Sequence, residues 1–107
     1  MDYSRDIAEI LSRSRDNGAE FWATPDNNLI KGGPFSTTEA VSILSELGLP
    51  ASHPAMEGAT GLIWHAQRAD GRFQLVPKSG IFPCHTVHAA KALCSAGFAA
   101  DDRLQAT

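Results

Sequence analysis

Cysteine, basic residues and long apolar runs are all scarce in this chain. Only two cysteines, Cys84 and Cys94, occur among its 107 residues. If both lie on one helix, ten residues separate them by about 15 Å. A disulfide needs Cα atoms within about 7 Å, so both are read as thiols. Nine Lys and Arg stand against twelve Asp and Glu, for a net charge of −3. The clustered positive charge of a nucleic-acid interface is therefore missing, and no nucleic-acid partner is expected. No apolar run approaches the roughly 18 residues of a membrane span. The opening Met1-Asp2-Tyr3-Ser4-Arg5-Asp6 lacks the basic start and apolar centre of a secretory signal, and a cytoplasmic location is expected. Glycine-rich phosphate loops, serine-nucleophile elbows and paired carboxylates are missing too, and Lys31-Gly32-Gly33 reads as a turn. No catalytic residue is assigned and no cofactor is expected.

What is present is helical periodicity punctuated by glycine and proline. A hydrophobic content of 43% suits one domain with a modest core. Ile7, Ala8, Ile10 and Leu11 mark a first helix near 5–16, stopped by Asn17-Gly18. Residues 19–35 form a long, turn-rich connection, of the kind that is often functional. Its Phe21-Trp22 pair is expected to anchor it on the core, with a ligand-lining role for Trp22 as the alternative. Ser36-Thr37-Thr38-Glu39 is a capping box opening a helix over 37–47, whose apolar face is Ala40, Val41, Ile43, Leu44 and Leu47. Phe35 stands where a hydrophobic staple would. Pro54 opens a third helix over 54–68, in which Gly58 and Gly61 permit close approach of a neighbouring helix. A fourth spans 86–96. Pro77, Gly80 and Pro83 argue against a sheet between the last two.

The chain also resembles itself. A shift of 49 superposes Pro34 on Pro83, Thr37 on Thr86, Ala40 on Ala89, Leu44 on Leu93 and Gly48 on Gly97. A shift of about 53 superposes Asn17-Gly18 on Asp70-Gly71. Such a period is the mark of a helical-hairpin repeat. The expected fold is all-α, with four helices in two stacked α-hairpins at about 4–50 and 53–98. Helices one and three, and helices two and four, are then equivalents.

Gln67-x-x-Asp70-Gly71-x-Phe73, followed by Pro83-Cys84-His85-Thr86 and then Ala89, Ala90, Leu93 and Gly97, resembles the repeats of prenyltransferases and squalene/terpene cyclases. The resemblance covers most of residues 55–105 and, more loosely, 5–50. It implies a slice of an α/α toroid, with outer and inner helices around an apolar cavity for an isoprenoid or other apolar small molecule. Gln67 and Asp70-Gly71 would end an outer helix, and Thr86 would open an inner one. Phe73 stands where that family prefers tryptophan. The cyclases' Asp-x-Asp-Asp donor is missing, because Ala99 stands where the first aspartate would precede Asp101-Asp102. No complete zinc set can be matched either. The implied module therefore lines a cavity without being catalytic alone. The alternative is a helical-repeat module for protein interaction or self-association, and uncapped apolar ends favour binding to a second copy or a larger toroid partner.

Cys84-His85-x-x-His88 is the one cluster with metal-ligand residue types, and Cys84 and His88 are spaced to share a helix face. His53 and His65 lie on another hairpin, and no metal site is expected. A thiolate nucleophile at the helix entry is the second chemical option. The plainer reading has Cys84 packing as a small apolar residue, His85 making a turn hydrogen bond and His88 solvated. The functional surface is placed at this entry, with Trp22, Cys84, His85 and His88 as ligand-binding candidates.

Overall fold

The structure is a computed structural model describing residues 2–105. Helix α1 covers Ser4–Ser12, α2 Thr37–Glu46, α3 Pro54–His65, α4 Pro83–Leu93 and α5 Asp102–Gln105. A 3₁₀ turn at Gly33–Phe35 precedes α2, and a widened turn at Cys94–Phe98 follows α4. The described residues contain no strand, only an isolated antiparallel bridge between Gln67 and Phe73. The all-α expectation holds.

Helix α2 packs against α1, α3 and α4, and its Ala40, Val41 and Leu44 are fully buried. Met56, Ala59 and Ile63 of α3, Ala89, Ala92 and Leu93 of α4, and Ile10 of α1 close around it. The radius of gyration, 13.0 Å, is that of a compact chain of this length. Beside its apolar face α2 buries the hydroxyls of Thr37, Thr38 and Ser42, and each has a partner. Thr37 Oγ1 donates to the Phe21 carbonyl at 2.8 Å, Thr38 Oγ1 to that of Leu29 at 3.5 Å and Ser42 Oγ to that of Thr38 at 3.2 Å. Burying these hydroxyls is tolerable because they are bonded. Those of Thr37 and Thr38 also fasten the 19–35 connection to the core.

Several boundaries differ from expectation for a traceable reason. Helix α1 stops at Ser12, not Asp16, and the chain runs on through i→i−3 turns to Gly18. The Ser14 carbonyl, which a continuing helix would use for Gly18, instead accepts from the Trp22 N–H at 2.7 Å. Helix α3 ends at His65 in the same way, its Ala66 carbonyl accepting from the Gln74 N–H at 3.0 Å. Helix α4 starts three residues early, because Pro83 is preset for the first helical position. It gives way after Leu93 to the widened turn, in which Gly97 has φ +103°.

The capping box of α2 is half made. Ser36 Oγ accepts from the Glu39 N–H at 3.4 Å, but the Ser36 N–H donates to the Gly33 carbonyl. The Glu39 carboxylate turns toward His88. Neither glycine of α3 admits a helix: a Cβ on Gly58 would lie 2.2 Å from the Phe21 ring, and Gly61 faces open space. Gly58 is there for Phe21.

Around Trp64 the end of α3 meets the last described turn. The Arg103 guanidinium lies 3.6 Å from the ring centre, and Phe98 meets the ring edge-on at 5.6 Å. Gln67 Nε2 donates to the Gly71 carbonyl at 3.1 Å and to that of Arg103 at 2.9 Å, tying α3 to α5.

Candidate functional site

The four sequence-predicted residues do not share one site. Trp22 is fully buried, and its Nε1–H donates to the Ile10 carbonyl at 3.1 Å. It is the anchor of its loop. Phe21 and Trp22 both have positive φ, +57° and +62°, a conformation that costs a bulky residue roughly 1–2 kcal/mol. Four bonds hold it: Trp22 N–H to Ser14, Trp22 Nε1–H to Ile10, Asn17 Nδ2 to the Trp22 carbonyl at 2.9 Å and Thr37 Oγ1 to the Phe21 carbonyl. The ring of Phe21 rests on Gly58.

At the entry to α4 the residues fan out. Cys84 is exposed, as is Cys94, and both are free thiols, so Cys84 does not pack as an apolar residue. His85 is only 4% exposed. Its Nδ1 accepts from the Leu75 N–H at 3.4 Å, and its ring meets Phe82 edge-on at 5.6 Å. An accepting Nδ1 places the neutral ring's proton on Nε2. Burial first, then the neighbouring His88, lowers the pKa of His85 below its ordinary value. The ring thus works as a neutral pin for the 72–79 segment. Among the described residues no group of three His, Cys, Asp or Glu side chains could hold a metal ion.

His88 points elsewhere. Its Nδ1 lies 3.9 Å from Glu39 Oε1. Together they border a recess of about 470 Å³, lined also by Ile30, Gly33, Pro34, Ser36 and Thr38. This recess, between the 30–34 segment, the first turn of α2 and His88 in the second turn of α4, is the candidate site. Its chemistry is mixed: an apolar side from Ile30 and Pro34, hydroxyls from Ser36 and Thr38, and one imidazole–carboxylate pair. The amides of α2 nearest to it are already engaged, Thr38 N–H with Leu29, Glu39 N–H with Ser36 Oγ and Ala40 N–H with the Ser36 carbonyl. At α4 the His85 N–H is engaged with the Phe82 carbonyl. The recess therefore offers apolar contact and an imidazole–carboxylate pair more readily than a cradle for phosphate.

Sequence reasoning missed Glu39, which was read only as a cap. The signal was there in the repeat: the shift of 49 that superposes Thr37 on Thr86 also superposes Glu39 on His88. Equivalent positions on neighbouring helices stand side by side. No family model, no curated protein and no solved structure matches this chain.

Proposed function

We propose that the chain is a two-hairpin unit of the prenyltransferase and squalene/terpene cyclase repeat type, lining part of an apolar cavity and catalytically silent alone. The observation that carries this reading is the recurrence of the same bonds at the two repeat shifts. At 53, Arg13 N–H to Ile10 is matched by Ala66 N–H to Ile63, Ser14 to Leu11 by Gln67 to Trp64, and Gly18 to Arg15 by Gly71 to Arg68. At 49, Thr37 and Thr86 each use the side-chain oxygen to hold the preceding connection, at the Phe21 carbonyl and the Phe73 N–H. Gly48 and Gly97 both close their helices at φ near +100°. Each bond is ordinary at a helix end; their recurrence in the same order at fixed shifts supports the repeat. The Gln67 amide, bonded forward to Arg103, acts as a tie between successive helices.

The ligand would be an isoprenoid or similar apolar molecule, lying along Ile30, Pro34, the first turn of α2 and His88 of α4. Titration of a ¹⁵N-labelled sample with geraniol and with geranyl diphosphate tests this. Saturable amide shifts confined to residues 30–39 and 83–90, with geraniol binding about as well as its diphosphate, are expected. Saturable binding that leaves those amides unmoved removes the reading.

The self-association alternative has its own observation. Phe82 and Val87 are 50% and 65% exposed, and with Cys84 they form an outward apolar strip at the start of α4. Light scattering over a range of concentration decides it: growth beyond monomer that Val87→Glu abolishes favours association. No described helix is long and apolar enough to cross a membrane.

A further inference from the structure

The geometry points to a second small-molecule site, for a carboxylate with a compact apolar body, in the hollow between the end of α3 and the two connections. This hollow of about 180 Å³ is lined by Asn27, Leu29, Leu62, His65, Ala66, Arg68, Gln74 and Pro77. Leu29 is almost fully buried, and Leu62, Ala66 and Pro77 are half-buried, which gives the hollow an apolar side. No acidic residue lines it.

Its distinguishing group is Arg68. Four of the six arginines, Arg13, Arg15, Arg72 and Arg103, each meet a carboxylate within 3.0 Å, and of the other two, Arg5 and Arg68, only Arg68 lines the hollow. Arg68 has no carboxylate partner among the described residues; its Nε donates instead to Gln74 Oε1 at 3.0 Å. Gln74 is itself held, its Nε2 donating to the Ser79 carbonyl at 2.6 Å. The backbones of both residues are fixed as well, Arg68 N–H to the Arg72 carbonyl and Gln74 N–H to that of Ala66. The guanidinium is thus held at one edge while its two terminal nitrogens keep donors in the fork that matches a carboxylate. Of the acids close in sequence to the lining residues, Asp26 accepts from the Thr24 hydroxyl and Asp70 from Arg72. An oriented, un-neutralised fork beside an apolar hollow recognises an anion with a hydrophobic body, and the volume limits that body to about one ring or one branched chain.

The site stands apart from the recess at α2 and α4 and does not depend on the repeat reading. Titration of the labelled full chain with benzoate, and separately with benzyl alcohol as its uncharged counterpart, tests it. Benzoate is expected to shift the amides of Leu29, Ala66, Arg68 and Gln74 saturably, with a Kd on the order of 1 mM. Benzyl alcohol and the Arg68→Gln variant are each expected to bind at least about tenfold more weakly. Ala66→Leu, which narrows the hollow and leaves the guanidinium in place, should weaken benzoate as well. Unmoved amides in the wild-type chain, equal binding of the alcohol, or undiminished binding by a folded Arg68→Gln protein would each overturn the assignment.

Discussion

Two connections, residues 13–36 and 66–82, do the same task in this molecule by different means. Each leaves the end of a helix through i→i−3 turns, passes a glycine at positive φ and sends one aromatic, Trp22 or Phe73, into full burial. The second then runs back antiparallel to itself, with Arg68 paired to Arg72 and Gln74 to Ala66. The first holds three non-glycine residues, Phe21, Trp22 and Asn27, at positive φ, against Lys78 alone in the second. It gathers itself on one central side chain: Asn17 Nδ2 lies 2.9 Å from the Trp22 carbonyl, 3.1 Å from that of Lys31 and 3.0 Å from that of Phe35. Regular pairing spreads the burden over many small terms. A strained loop gathered on one amide concentrates it.

The largest effects should fall on the buried aromatics. Trp22→Ala and Phe73→Ala each remove a fully buried ring, which costs about 3–5 kcal/mol. That is a large part of a typical domain's 5–15 kcal/mol. Denaturant melts should place Trp22→Ala lower, because the indole is the larger ring and also donates a buried hydrogen bond to the Ile10 carbonyl. The reverse order would mean that the second connection carries the fold.

Next comes the gathering amide. Asn17→Ala removes the amide shared by three carbonyls, two of them in part-buried bonds, and should cost about 2–3 kcal/mol, against about 1 kcal/mol for Gln67→Ala, which loses one part-buried and one exposed bond. Equal losses in the same melts would erase the proposed distinction between the two connections.

Gly58 sharpens the comparison at a single contact. Gly58→Ala drives a methyl into the Phe21 ring and should cost about 1–3 kcal/mol. In a Phe21→Ala background that cost should largely vanish, so a double-mutant cycle will show strong coupling. Additive losses would show that Phe21 does not need the gap.

The smallest effect belongs to the second connection and is a matter of pH. His85 is neutral in the fold, and its pKa lies below the ordinary value because of burial and His88. As pH falls below about 6.5, the ordinary histidine value, the unfolded chain takes up this proton before the folded one does. Stability is therefore flat with respect to this group above that pH and declines below it. Protonation would also remove the acceptor for the Leu75 N–H. His85→Asn, which keeps an acceptor but does not titrate, should show a shallower decline in melts between pH 7 and 5. An unchanged slope would clear His85 of the role.

Helix α2 was legible in the sequence because its apolar face and opening residues agree, whereas α4 was legible as a helix but lies three residues earlier at both ends than its 86–96 reading. The ends of α1 and α3 were not, since a partner eight residues on diverts the carbonyl of Ser14 or Ala66. Periodicity reports which face is apolar; it is blind to that competition. The anchoring role of Trp22 was readable from its size in a loop, but its left-handed backbone was not, because aromatics rarely adopt it. For the candidate site, His88 was found from its residue type. Glu39 was hidden behind a capping pattern of which the fold uses only half.

One bond described by neither connection alone joins them: the Leu29 N–H donates to the Leu75 carbonyl at 2.9 Å. Nearly everything else that shapes either connection is local, closing within some twenty residues. Local contacts form early and cheaply in entropy, whereas a bond between distant parts of the chain waits for the intervening loop to close. The helices, moreover, meet mainly between the halves, α2 lying on α3 and α4, so neither half has a core of its own and the two should close together. The Leu29 amide is then a clock for that closure, protected from solvent exchange only once both halves have met.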